Sequence, residues 1–125
     1  MSKDSPNPFY HAFNGILETY RSERNFRIHV IAALAVVVLG IWMDVTYSEW
    51  CWIILCIAIV LIVEVLNTAI EALVDLVVPD YQPLAKKAKD AAAGAVLIAA
   101  IFSCIVGGVI FFPKLWLLFF GYHVA

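Results

Sequence analysis

Long stretches of this chain carry no charge: no residue from Trp50 to Val63 or from Ala91 to Phe112 is acidic or basic. Only 14% of the 125 residues are charged and 64% are apolar, with a mean hydropathy of +0.93. A soluble domain has about a quarter charged and about half apolar. Water is thereby excluded as the solvent of most of the chain. Crossing about 30 Å of hydrocarbon takes about 20 apolar residues, so the length admits about three crossings and no separate soluble catalytic domain. Glycine-rich nucleotide signatures are missing too. With neither GxxxxGK[ST] nor GxGxxG, a bound nucleotide would have to be held by side chains. Cys51, Cys56 and Cys104 show no CxxC or Cys/His spacing, which excludes a recognisable zinc site or disulfide framework and leaves them as packing residues. The first apolar run begins only near Ile28, with no small-residue cleavage site after it, so no secretory signal is expected. No nucleic-acid partner is expected either.

What is present is an all-α membrane protein in one unit, residues 1–125. Asn7 can cap a helix with Pro8 in its first turn. Along it Phe9, Phe13, Ile16, Leu17 and Tyr20 share one face, opposite His11, Asn14, Glu18, Arg21 and Ser22. Residues 1–27 therefore read as an amphipathic segment on the membrane surface, the alternative being a helix packed on the bundle. A first span is expected over 28–43, with Asn25 to Arg27 available at its start. Asp44 to Glu49 forms a polar turn. A second span over 50–78 runs to Pro79, and a third over 91–112 precedes Pro113, Lys114 and an aromatic tail from Leu115 to Tyr122. Ala91, Ala95, Ala99, Ser103 and Gly107 form a small-residue ridge suited to close helix contact in lipid.

Lysines and arginines set the orientation. Lys3, Arg21, Arg24 and Arg27 precede the first span, and Lys86, Lys87 and Lys89 lie between the second and third, while the 44–49 turn has none. The N-terminus and the 79–90 loop are expected on the cytoplasmic side. Lys114, on the opposite side, runs against the rule.

The chemistry concentrates in one stripe. Glu64, Asn67, Glu71 and Asp75 fall within about 80° of one helix face. Ionisable groups in a span are costly and by default mark a functional site or an internal pair. Counting from Trp50 at about 1.5 Å per residue puts the inner boundary near Ile70, so Glu64 lies about 9 Å below it, with Glu71 and Asp75 at or above it. A deep carboxylate suits proton abstraction from a hydroxyl. Shallow ones facing basic residues suit a divalent metal and the phosphates of a nucleotide. Glu23-Arg24-Asn25-Phe26-Arg27 and Lys86-Lys87-Ala88-Lys89-Asp90 could complete such a site, although each alone reads as a positive-inside anchor. Structural pairing of the stripe with Arg24, Arg27 or Lys89 is one alternative, and an ion path is another. A non-enzymatic assembly protein and a cation carrier are the rival functions.

At these residues the sequence resembles the small prokaryotic membrane kinases of the diacylglycerol kinase and undecaprenol kinase family. Glu64-Val-Leu-Asn67-Thr-Ala-Ile-Glu71-Ala-Leu-Val-Asp75 matches the family's E-x-x-N-[ST]-A-x-E-x-x-x-D motif at every fixed position. Ala88-Lys89-Asp90 matches a second motif, and Glu23 with Phe26 and Arg27 matches the acidic segment before the first span. The likeness covers nearly the whole chain in order and spacing.

The resemblance implies a homotrimer in the bacterial inner membrane, with a site shared between subunits at the cytoplasmic interface, phosphorylating a lipid alcohol from MgATP. It implies Glu64 as catalytic base and Glu23 and Glu71 as Mg²⁺ ligands that also hold ATP. Lys89 and Asp90 would bind the phosphates, Asp80 and Tyr81 would touch the nucleoside, and Asn67, Asp75 and Arg27 would support the site. Gln82 and His11 depart from some members, where His and Tyr stand at positions tied to adenine. Asn14-Gly15-Ile16, Pro83-Leu84-Ala85 and the segment from Asp90 to Gly94 resemble the Gram-positive branch, where undecaprenol kinases are found, more than the diacylglycerol-specific branch.

Overall fold

A computed structural model describes residues 6–121, all of them in helices or short connections, with no strand among the described residues. Lys3 and Tyr122 lie outside the described residues. Among the described residues four helices follow one another: α1 Pro8–Ser22, α2 Arg24–Trp42, α3 Tyr47–Val77 and α4 Pro83–Phe120. Three of them, α2, α3 and α4, are long and apolar enough to cross a membrane. Their outer surfaces are apolar over the central turns: Ile31, Leu34, Ile54, Ile62, Ile98 and Ile105 are all exposed, while Glu64 and Thr19 are buried. This inversion of the water-soluble pattern is stable only where the surroundings are themselves hydrocarbon.

The side chain of Asn7 accepts from the Phe9 N–H at 3.0 Å and starts α1, with Pro8 where its missing N–H costs nothing. Phe9, Phe13, Ile16 and Tyr20 remain exposed, so the apolar face of α1 is not packed on the bundle of its own chain. The surface segment expected to reach residue 27 ends instead at Ser22, and α2 begins at Arg24, four residues ahead of the expected start of the first span. Glu23 makes the break. It is extended (φ -109°, ψ 111°), closing α1 through its N–H to the Thr19 carbonyl and opening α2 as its N-cap without a side-chain cap bond. Arg27 holds the elbow shut, its Nη1 donating to the carbonyls of Tyr20 at 2.9 Å and Arg21 at 2.8 Å. The last carbonyls of a helix have no partner within it, and a guanidinium satisfies two at once.

The opposite end is defined by local chemistry that composition does not show. At the end of α2, Asp44 takes φ 52°, while Val45 N–H bonds Gly40 and Asp44 N–H bonds Ile41, the Schellman pattern that ends a helix on a left-handed residue. Asp is one of the few residues besides Gly that visits this region readily. Thr46 and Glu49 then form a reciprocal capping box at the start of α3. Glu49 also meets Lys114 of α4 at 3.1 Å, so the lysine that ran against the charge rule has a carboxylate partner. Around this junction Val45, Ile53, Ile110 and Phe111 form the buried cluster, with Trp50 packed against it.

Helix α4 departs from expectation at both ends. It starts at Pro83, so Lys86, Lys87 and Lys89 ride its first turns and do not sit in a loop. It also continues through Pro113 to Phe120, where the third span was expected to stop at Phe112. A proline removes one N–H from the ladder and crowds the carbonyl four residues back, but membrane helices tolerate this. Helix α4 packs chiefly along α3. The residues buried there include Ala92, Ala99 and Ile110, whereas Ala91 of the expected small-residue ridge faces outward.

Candidate active site

Helix α3 buries Ile53, Cys56, Val60 and Glu64, spaced by three, four and four residues. That line is the seam against its neighbours. Continued by the same steps of three, four and four it meets Asn67, Glu71 and Asp75, so the acidic stripe is the seam prolonged beyond its apolar part. Glu64 is 3% exposed, Glu71 half-buried and Asp75 exposed, a gradient that follows the stripe outward.

Glu64 is the pivotal group. Its Oε1 is buried and accepts no hydrogen bond, and Nε2 of His29 on α2 stands 3.3 Å from it. Glu23 and Glu71 are close enough to act on its charge. The elbow between α1 and α2 thus brings Glu23, distant in sequence, within electrostatic reach of the stripe of α3. Asn67 Nδ2 donates to Glu71 Oε1 at 3.2 Å and fixes that carboxylate, while Asn67 Oδ1 is buried without a partner.

From α4, Lys89 reaches across to Asp75, Nζ to Oδ1 2.7 Å, and lies near Glu71 as well. Its neighbour Asp90 turns away and pairs with Lys86 on the exposed side of α4. The two residues expected to act together on phosphate are therefore engaged with different partners in this chain. Asp80 and Tyr81 are exposed in the connection between α3 and α4, beyond the Asp75 end of the stripe. Arg27 bonds the end of α1 at the elbow that carries Glu23, so any support it gave the site would run through that elbow. Gln82 is the exposed N-cap of α4, and His11 lies half-buried on α1.

His29 escaped the sequence reading. The available signal was an ionisable side chain just inside the first apolar span, the same criterion that singled out Glu64. It also lines a half-open apolar cavity of about 430 Å³ bordered by α2, α3 and α4, together with Ile28, Val60, Leu61, Ser103 and Phe111. A second hollow, about 510 Å³ beside Trp42 and Lys114, lies at the opposite end and shares no residue with the stripe.

The donor set suits magnesium. Glu23, Glu71 and the orphaned Asn67 Oδ1 offer hard oxygen ligands, and Mg²⁺ is usually held by one or two carboxylates together with substrate phosphates. Among the described residues no group of three or more His, Cys, Asp or Glu forms a ready cage. An ion would be shared with the nucleotide's phosphates.

The profile of the family described as prokaryotic diacylglycerol kinase matches residues 10–111, a stretch that contains the elbow, the stripe and Lys89. The chain belongs to the prokaryotic diacylglycerol kinase family. It is similar to the undecaprenol kinase of Bacillus subtilis (strain 168), 52% identical over 107 residues that cover 86% of this chain and 87% of the relative. It is 43% identical to a diacylglycerol kinase of Synechocystis sp. over 108 residues, 86% of this chain and 62% of that protein. The diacylglycerol kinase of Escherichia coli (strain K12) is 38% identical over 95 residues, 76% of this chain and 78% of the relative. This member is accordingly an all-helical lipid kinase that uses ATP, and the assembly-protein and carrier readings fall away.

Proposed function

We propose that this kinase transfers the γ-phosphoryl group of ATP to the hydroxyl of undecaprenol, giving undecaprenyl phosphate and ADP at the cytoplasmic face of the bacterial inner membrane. The observation that carries the reading is the position of Glu64. It is a buried carboxylate whose Oε1 accepts no hydrogen bond, next to a histidine that lines an apolar cavity. A base needs an oxygen free to accept the hydroxyl proton, and an isoprenoid alcohol needs apolar walls to bring its hydroxyl to that oxygen. The 52% identity to an undecaprenol kinase, against 43% and 38% to diacylglycerol kinases, supports the choice of lipid.

In the reaction Glu64 takes the hydroxyl proton as the lipid oxygen bonds to the γ-phosphorus, and the bond to the β-γ bridging oxygen breaks toward ADP. Lys89 offers positive charge to the phosphates, exchanging Asp75 for them, while Asp90, which as a carboxylate can only accept, holds Lys86 beside them. Asp80 and Tyr81 hold the nucleoside. Glu23 and Glu71 hold Mg²⁺, with Asn67 fixing Glu71; the ion, when bound, neutralises charge on the phosphates. The working unit is a homotrimer, which would cover part of the exposed apolar surface of α2 and α4 and let groups of neighbouring subunits share one site.

The deciding experiment is transfer of labelled phosphate from ATP to purified undecaprenol and to purified diacylglycerol, each in the same mixed micelles. A kcat/KM at least about tenfold higher for undecaprenol supports the proposal, since apolar contacts alone discriminate only weakly. A preference for diacylglycerol replaces undecaprenol by the substrate named for the Synechocystis and Escherichia coli relatives.

A further inference from the structure

A buried base that accepts a proton must lose it before the next turnover. Glu64 is 3% exposed, and the hydrocarbon around the α3 seam offers no water to take the proton. The side chain of His29 is placed differently. Its Nε2 stands 3.3 Å from Glu64 Oε1, yet its side chain is 26% exposed against 4% for that of Glu64. It springs from α2 less than two turns beyond the elbow that bears Glu23.

We propose that His29 receives the proton from Glu64 after phosphoryl transfer and passes it to water at the interface, so that it acts as a positioning residue that also resets the base. This rests on Glu64 being the base. The lipid O–H bond breaks, its proton goes to the Glu64 carboxylate, and its oxygen bonds phosphorus while ADP leaves with the electron pair of the broken bond. The Glu64 O–H then breaks toward the Nε2 lone pair, giving carboxylate and imidazolium, and the imidazolium releases its proton to water. Protons and charge balance without another reactant.

Imidazole suits this step because its ordinary titration lies close to neutral pH, so it can both accept and release a proton there. The other charged groups around the pair are Glu23 from the elbow and Glu71 from α3. Lys89 of α4 is held against Asp75, farther along the stripe.

The test uses the full chain in lipid micelles with His29→Gln and His29→Ala. His29→Gln keeps polarity but cannot take a proton. It should lower kcat by about tenfold or more while leaving the KM for ATP within about twofold, and the acidic limb of its kcat profile should move from the wild-type position. Imidazole in the buffer should restore part of the lost kcat in His29→Ala, saturably, and should not act on wild type. A merely structural histidine would instead lower the melting temperature and both variants' activities without rescue or a moved limb, and that outcome overturns the proposal. A kcat within twofold of wild type in His29→Gln overturns it as well, while an inactive Glu64→Gln in the same series would keep the base assignment standing. Full turnover by Glu64→Gln removes the base, and the relay with it.

Discussion

Nζ of Lys89 lies 2.7 Å from Oδ1 of Asp75, joining the first turns of α4 to the last turns of α3 across 14 positions of sequence. Both side chains are substantially exposed, at 37% and 65%, so solvent screens the pair and it adds little to stability. The Asp75 carboxylate holds the Lys89 ammonium above the ordinary lysine range. Its contribution is therefore complete at neutral pH and fades only as pH rises through that elevated range. A weak bond of this kind can be exchanged for a phosphate. Lys89→Ala should leave thermal melting within a few degrees of wild type but raise the KM for ATP or lower kcat/KM by about tenfold or more, read by steady-state turnover in micelles.

Glu64→Gln should reduce phosphoryl transfer by about 10²-fold or more while nucleotide binding, measured by equilibrium titration, stays near wild type. The amide keeps the shape of the side chain but has no basic oxygen for the hydroxyl proton. Near-normal turnover would remove Glu64 from the base role.

Glu71→Gln and Glu23→Gln should weaken nucleotide binding as well as rate and shift half-maximal activity to higher Mg²⁺, since each removes a charged oxygen ligand. The check is a magnesium titration of turnover at fixed ATP. Superimposable curves for wild type and both variants would count against metal ligation by these residues.

A Cβ on Gly40 would stand 2.7 Å from the indole of Trp50. Gly40 is buried in α2 directly before the Schellman turn, and the ring belongs to the well-packed junction around Ile53 and Phe111. Gly40→Ala should cost about 1–3 kcal/mol by overpacking, measured as a lowered unfolding midpoint in detergent. Adding Trp50→Leu should recover part of that loss, and no recovery would mean that the strain lies elsewhere.

A shared site predicts complementation. Impaired Glu64→Gln and Lys89→Ala chains, mixed and reassembled, should reach an activity above that of either alone that depends on their ratio, because a mixed trimer can assemble one site from intact groups. Mixtures that never exceed either mutant alone would point to a site within one subunit. Ala99→Leu, by contrast, is no clean probe of assembly. Ala99 is 5% exposed within its own chain, so the larger side chain overpacks α4 inside one subunit before it can reach a neighbour.

Much of this protein is written in local periodicity. Apolar runs fixed three helices able to cross a membrane, Asn7 and Pro8 the start of α1, and steps of three and four the common face of Glu64, Asn67, Glu71 and Asp75. Those signals survive because helix geometry repeats whatever the neighbours are. Rotation and register between helices do not repeat in that way, and only the tertiary structure supplied what depends on them. It placed His29 of α2 against Glu64, turned Lys89 to Asp75 while Asp90 went to Lys86, and set Arg27 to closing the elbow at Glu23. It also carried α4 through Pro113, where a proline read alone suggests an end. For His29, Lys89 and Arg27 the outcome was decided by which segments meet, a relation that no single stretch of sequence contains, whereas the Lys86–Asp90 pair and the passage through Pro113 are local to α4.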